Sequence, residues 1–223
     1  MGLKILLVHG YAQNIGIFKG KTGALRRFLK KYGEMSFIEA PFALPEDPDF
    51  PGQQKYGWYV RSEDEQTRAD LDHSGSVISE FIRENGSELV VGFSQGATVA
   101  LHPLLDALQS GMDSFPTLKG VLMISPYFPS TPALAKSNSD FIATLAGLPQ
   151  ESSREGDTLR LPKCLIMGGS GDSVVPVSGF SHLHELLVEL GVDTSLYTHD
   201  RGHFIPTDAA AKEAMRTFLD SLE

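Results

Sequence analysis

With 223 residues, 41% of them apolar, the chain is long enough to bury one substantial core, and its single cysteine excludes a disulfide scaffold. The formal net charge of −9 excludes a general electrostatic footprint for nucleic acid or an anionic membrane, because phosphate surfaces gather clustered Lys and Arg. A small, uncharged or partly apolar ligand remains open, and one domain over residues 1–223 is expected.

In chain order, the first apolar run, at 5–8, is too short for a signal-peptide core or a membrane span, and Leu6 stands where a myristoylation site wants Ser or Thr. A cytoplasmic protein with no membrane insertion is expected. β-rich apolar runs predict strands over 4–8, 36–39, 89–92, 120–124, 163–167 and 194–197. Amphipathic stretches predict helices over 23–31, 74–84, 95–109, 180–190 and 208–222; in the last, Ala211, Met215, Phe218 and Leu222 fall at helical spacing. Strands alternating with helices define an α/β class, a mostly parallel sheet of about six strands with helices on both faces. Two stretches, 41–61 and 125–162, resist assignment and read as long strand-end loops. They lie on the side where open α/β sheets bind ligands, and are candidate pocket-covering insertions. Cys164, inside the strand at 163–167, is expected to be a buried thiol.

The most informative residues are Gly92-Phe93-Ser94-Gln95-Gly96, between the strand Leu89-Val90-Val91 and the helix-compatible Ala97-Thr98-Val99. A serine on a sharp strand-to-helix turn needs neighbours without side chains, so the flanking glycines let strand and helix approach while the hydroxyl projects over the sheet edge. This is the nucleophile elbow of the α/β-hydrolase fold, in its required context. The Gln95 amide then opens a helix, where an unpaired N–H suits a developing oxyanion. A second donor is expected from the loop after the first strand, Val8-His9-Gly10-Tyr11-Ala12, with the Tyr11 amide first and that of Ala12 as the alternative. His9 is expected to support this loop.

Serine is a weak nucleophile until a base takes its proton. Of seven histidines, His203 lies in Arg201-Gly202-His203-Phe204, after the last strand and before the last helix; His199 also follows that strand but lacks the adjacent glycine. His102, His182, His184 and His73 fall on helices or a helix start. The imidazole needs an acidic partner, and in this fold the chain order is Ser, acid, His. Asp172, in a glycine-rich turn after the strand at 163–167, fits better than Asp157 in a polar loop or Asp193 at the opposite sheet edge.

These motifs, with His9-Gly10-Tyr11-Ala12-Gln13-Asn14, Lys21-Thr22, Ala40-Pro41, Val175-Pro176 and Gly202-His203-Phe204-Ile205-Pro206, make the chain resemble the FSH family of serine hydrolases from Lys4 to about Phe218. The resemblance implies a Ser94, Asp172, His203 triad, no metal or organic cofactor, and hydrolysis of small-molecule esters or acyl-thioesters. Some fungal members release polyketide chains from carrier-protein thioesters, so an acyl-carrier protein of a polyketide synthase is an implied partner. The aromatic residues Tyr11, Trp58, Phe93, Tyr127 and Phe204, in or beside strand-end loops, are expected to wall an apolar pocket. The alternative is a non-catalytic α/β-hydrolase-fold protein that keeps the pocket for ligand binding or as a scaffold.

Overall fold

Runs such as Ile5-Leu6-Leu7-Val8 and Val121-Leu122-Met123-Ile124 offer no polar face to water, so they are stable only in strands covered on both sides. The computed structural model, which describes residues 2–60, 64–110, 113, 115–126 and 161–223, arranges them so. The element order is β1 (Leu3–Val8), α1 (Ile15–Lys21), α2 (Gly23–Leu29), β2 (Gly33–Ile38), β3 (Phe42–Ala43), β4 (Tyr56–Gly57), α3 (Asp64–Asn85) and β5 (Leu89–Phe93). It continues with α4 (Gln95–Val99), α5 (His102–Ser110), β6 (Gly120–Ile124), β7 (Lys163–Gly169), α6 (Val177–Glu189), β8 (Thr194–His199) and α7 (Ala209–Asp220). No helix among the described residues is long and apolar enough to cross a membrane.

Six strands form one parallel sheet in the order β2-β1-β5-β6-β7-β8. The register runs unbroken from Val8 through Gly92, Met123 and Ile166 to Leu196. Because strand side chains alternate, Leu6, Val8 and Met123 join Ile78, Ile82, Leu104, Phe180 and Leu187 from α3, α5 and α6 on one face. Ile5, Leu7 and Ile124 join Phe18, Leu25, Leu29, Met215 and Phe218 from α1, α2 and α7 on the other. Helices on both faces of a parallel sheet make this a doubly wound α/β fold. From β1 the chain steps outward to β2, whereas β5 to β8 step the opposite way, so the strand order reverses between β1 and β5. The crevice beyond the carboxyl ends of that pair is where such sheets hold ligands.

All six predicted strands are present; the helices differ more. Residues 15–21 form α1, which Gly16 and Gly20 disguise by lowering helix propensity. Asn14 caps it by accepting the Ile17 amide at 2.8 Å. The helix expected over 95–109 is two, interrupted at Ala100 and Leu101, because Pro103 has no N–H for the Val99 carbonyl and its ring crowds the preceding turn. α3 begins at Asp64, ten residues before the expected start, so His73 lies inside it. Within the 41–61 loop, β3 and β4 pair as a two-residue antiparallel ladder. Of the second long loop, residues 127–160, with Tyr127, lie outside the described residues.

Candidate active site

Ser94 sits at φ 55°, a left-handed conformation unfavourable for a residue with a side chain, directly between β5 and α4. Two glycines make the turn sterically possible. A Cβ on Gly92 would lie 2.4 Å from the Gly96 carbonyl oxygen, and one on Gly96 would lie 2.3 Å from that of His9. Gly92 therefore admits α4 against β5, and Gly96 admits the chain leaving β1. The Ser94 amide donates to the Ile124 carbonyl at 2.9 Å, tying the turn to β6.

Beyond β7 and β8, two turns are laced together. The Ser170 amide donates to the His199 carbonyl at 2.7 Å and the Gly171 amide to the Arg201 carbonyl at 3.2 Å. A Cβ on Gly169 would fall 2.1 Å from the Arg201 carbonyl oxygen, so this approach also depends on glycine. It brings Asp172 to His203: Nδ1–H donates to Oδ2 at 2.7 Å, leaving Nε2 to accept the Ser94 hydroxyl at 3.1 Å. The His203 ring also packs on Phe93, with centroids 5.0 Å apart. The buried Asp172 carboxylate accepts the Val174 and Val175 amides through Oδ1 at 2.8 and 2.9 Å. Burial pushes its pKa up, but the Val175 amide, the His203 hydrogen bond and the Val174 amide together outweigh burial and hold it below the usual carboxylate range.

His199 is not brought to Ser94. It is buried, its Nδ1 accepts the Arg201 amide at 3.2 Å, and its ring lies 4.8 Å from that of Phe204, so it braces the loop carrying His203. Burial pulls its pKa below the ordinary imidazole range.

The loop after β1 closes over the serine turn. A Cβ on Gly10 would lie 3.1 Å from Phe93 Cδ1 and 3.4 Å from Ser94 Cβ, so the loop packs closely on the serine turn. Among the described residues neither the Tyr11 nor the Gln95 amide has a protein acceptor. His9 is buried beneath this loop. Its Nδ1–H donates to the Gly10 carbonyl at 2.8 Å, its Nε2 accepts the Ala40 amide at 3.1 Å, and Glu39 Oε1 lies 2.9 Å from the same Nε2. Burial lowers its pKa against the opposing pull of the Gly10 carbonyl and Glu39.

A cavity of about 550 Å³ opens onto Ser94 and His203, with apolar walls from Tyr11, Phe18, Phe93, Val174, Phe204 and Ile205 and with Lys21 at its border. Trp58, expected in the wall, is not there. Its side chain is wholly buried, its indole N–H donates to the His9 carbonyl at 2.7 Å, and its own amide donates to Gln95 Oε1 at 3.1 Å. Gln95 Nε2 donates to the Tyr59 carbonyl at 3.1 Å, and Ser74 Oγ donates to that of Trp58. Trp58 is thus a brace joining the loop after β1 to the turn at Gln95. Phe18 and Lys21 are lining residues whose place in the cavity sequence patterning does not show, because both belong to α1, although Lys21 stands in one of the family motifs; Val174 and Ile205 each lie two residues past a triad candidate, a readable signal.

The fold and the hydrogen-bonded chain from Ser94 through His203 to Asp172 define an α/β-hydrolase. The family model for FSH1 serine hydrolases matches residues 1–215, and the chain belongs to that family. It is 28% identical over 240 residues to esterase OVCA2 of Homo sapiens, a match covering 98% of this chain and 96% of that one. It is 26% identical over 239 residues to a dihydrofolate reductase of Schizosaccharomyces pombe. That match covers 98% of this chain and 47% of the relative, so the chain spans about half of the relative's length. Among solved structures it is similar in fold to the esterase PE8, with a TM-score of 0.66, 20% identity, and 99% and 93% of the two chains covered.

Proposed function

We propose that the protein hydrolyses carboxylic esters through an acyl-Ser94 intermediate. The observation that carries this reading is the unbroken relay of 3.1 and 2.7 Å contacts from the Ser94 hydroxyl through His203 to a carboxylate held ionised. His203 Nε2 takes the hydroxyl proton as Ser94 Oγ attacks the acyl carbon, and Asp172 stabilises the imidazolium that forms. The carbonyl oxygen becomes an oxyanion, for which the amides of Tyr11 and Gln95, without a protein acceptor among the described residues, are the donors. Collapse expels the alcohol, which receives the proton from His203. Water then repeats the sequence on the acyl-enzyme, releasing the acid and restoring Ser94. Each step uses only groups of this chain and solvent.

Acyl-thioesters fall within the same chemistry, because the attacked carbonyl and the oxyanion are unchanged and a thiolate leaves more readily than an alkoxide. An acyl chain on a carrier protein of a polyketide synthase is the finer form of this reading, supported by kinship with the family. Membership of a serine hydrolase family, with esterase OVCA2 among the relatives, favours catalysis over a scaffold role.

A fluorophosphonate probe tests the core of the reading. Wild-type protein is expected to be labelled at Ser94, and Ser94→Ala to lose both labelling and at least about 10⁴-fold of ester turnover while melting as wild type does. Folded wild-type protein that resists the probe would refute the hydrolase reading.

A further inference from the structure

The cavity beside Ser94 is walled by apolar groups, yet among the described residues one with a permanent charge, Lys21, borders it. Its neighbourhood is unusual for a chain of net charge −9: no carboxylate precedes Glu34, while Lys19, Lys21, Arg26, Arg27, Lys30 and Lys31 crowd the stretch before it. Among the described residues none of these six makes an ion pair. The two lysines in the last turn of α1 have different surroundings. Lys19 places its ammonium 4.6 Å over the Phe37 ring, whereas Lys21 stands at the cavity that also holds Ser94 and His203. Lys19 alone could complement the carbonyl end of so short a helix. Lys21 is solvent-exposed and lines the cavity, so among the described residues it is the permanent charge that a molecule bound beside Ser94 and His203 would meet.

We propose that Lys21 recognises an anionic group on the substrate, so that preferred substrates carry, besides the scissile acyl bond, a carboxylate or phosphate that meets its ammonium. The inference rests on the assignment of Ser94 as nucleophile and narrows the substrate class at that site. The anion has two possible sources, the far end of the acyl chain or the leaving group, and both present the same oxygens to Lys21.

Two matched pairs of substrates separate the sources. For the acyl side, the mono-p-nitrophenyl ester of glutaric acid is compared with p-nitrophenyl valerate; for the leaving group, an S-acyl phosphopantetheine is compared with the same S-acyl pantetheine. The readout is the ratio of kcat/KM for the charged over the neutral member. In at least one pair, Lys21→Met is expected to lower this ratio about tenfold, mainly through KM, and Lys21→Arg to preserve most of it. Wild-type protein provides a reading that needs no variant to fold: raising salt from about 20 mM to about 0.5 M is expected to shrink the ratio several-fold in the same pair. Ratios that change less than about twofold in both pairs, on substitution and on added salt, overturn the role of Lys21 and leave the hydrolase reading intact. Folded wild-type protein that turns over neither member of either pair and resists the fluorophosphonate overturns both.

Discussion

Asp172→Asn separates what the carboxylate does from the space it fills. One oxygen accepts the Val174 and Val175 amides at 2.8 and 2.9 Å, and the other accepts His203 Nδ1–H at 2.7 Å. An asparagine keeps the first two bonds only by aiming its carbonyl at the amides, which turns its NH₂ group toward His203. Two donors then face each other unless the imidazole proton moves to Nε2, and that tautomer cannot accept the Ser94 proton. The flipped rotamer is no escape, because it sets the NH₂ group against two backbone N–H groups, each costing about 1–3 kcal/mol if left unpaired. The expected outcome is a fall in kcat of about 10³–10⁴-fold, equivalent to about 4–5.5 kcal/mol of barrier. The melting temperature is expected to shift by only a few degrees, since side-chain volume and the two amide bonds persist. Steady-state hydrolysis of a p-nitrophenyl ester, with thermal melting alongside, measures both. Turnover within about tenfold of wild type would show that the 2.7 Å contact does not govern the tautomer and that another acid serves.

Ser94→Gly tests the strain at the elbow: a residue with a side chain at φ 55° is held against its preference, so glycine is expected to abolish ester turnover yet raise stability by about 1 kcal/mol, a melting point about 2–4 °C higher. An unchanged or lower melting point would show that the turn stores no strain relieved by glycine. Stability is also expected to depend on pH through His9, His102 and His199, each of which burial holds below the ordinary imidazole range. The unfolded chain takes up these protons near pH 6.5 while the folded protein does not, so stability is full above about pH 6.5 and declines as pH falls toward the depressed native values. Thermal melts at about pH 7.5 and about pH 5.5 check this, and equal melting points would contradict it.

The sheet and the Ser94 turn were legible because they depend on local signals: continuous apolar runs and glycines at 92 and 96, whose missing side chains are required by the Gly96 and His9 carbonyls. The place of His203 between the last strand and the last helix, beside Gly202, sets it apart from His199, and chain order with a strand-end position singles out Asp172. The pairing of these two turns through Gly169 and the Arg201 carbonyl is a long-range contact that no local pattern announces. Trp58 misled because an aromatic residue near a strand-end loop fits a pocket wall as well as a brace, and only the acceptor of its indole N–H distinguishes the two. α1 stayed hidden because two of its seven residues are glycines, and with it went Phe18 and Lys21.

The brace at Trp58 has a spectroscopic consequence. It is the sole tryptophan of the chain, it is wholly buried, and its ring centroid lies 5.4 Å from that of His9, the residue whose carbonyl it holds. Intrinsic fluorescence excited in the indole band therefore reports from one address, the junction between the loop after β1 and the Ser94 turn. A blue emission marks the dry, closed junction and a red shift marks entry of water. An imidazolium at contact range quenches indole emission, so the same signal follows the charge state of His9, and the protein carries its own optical gauge of whether the roof over its serine is in place.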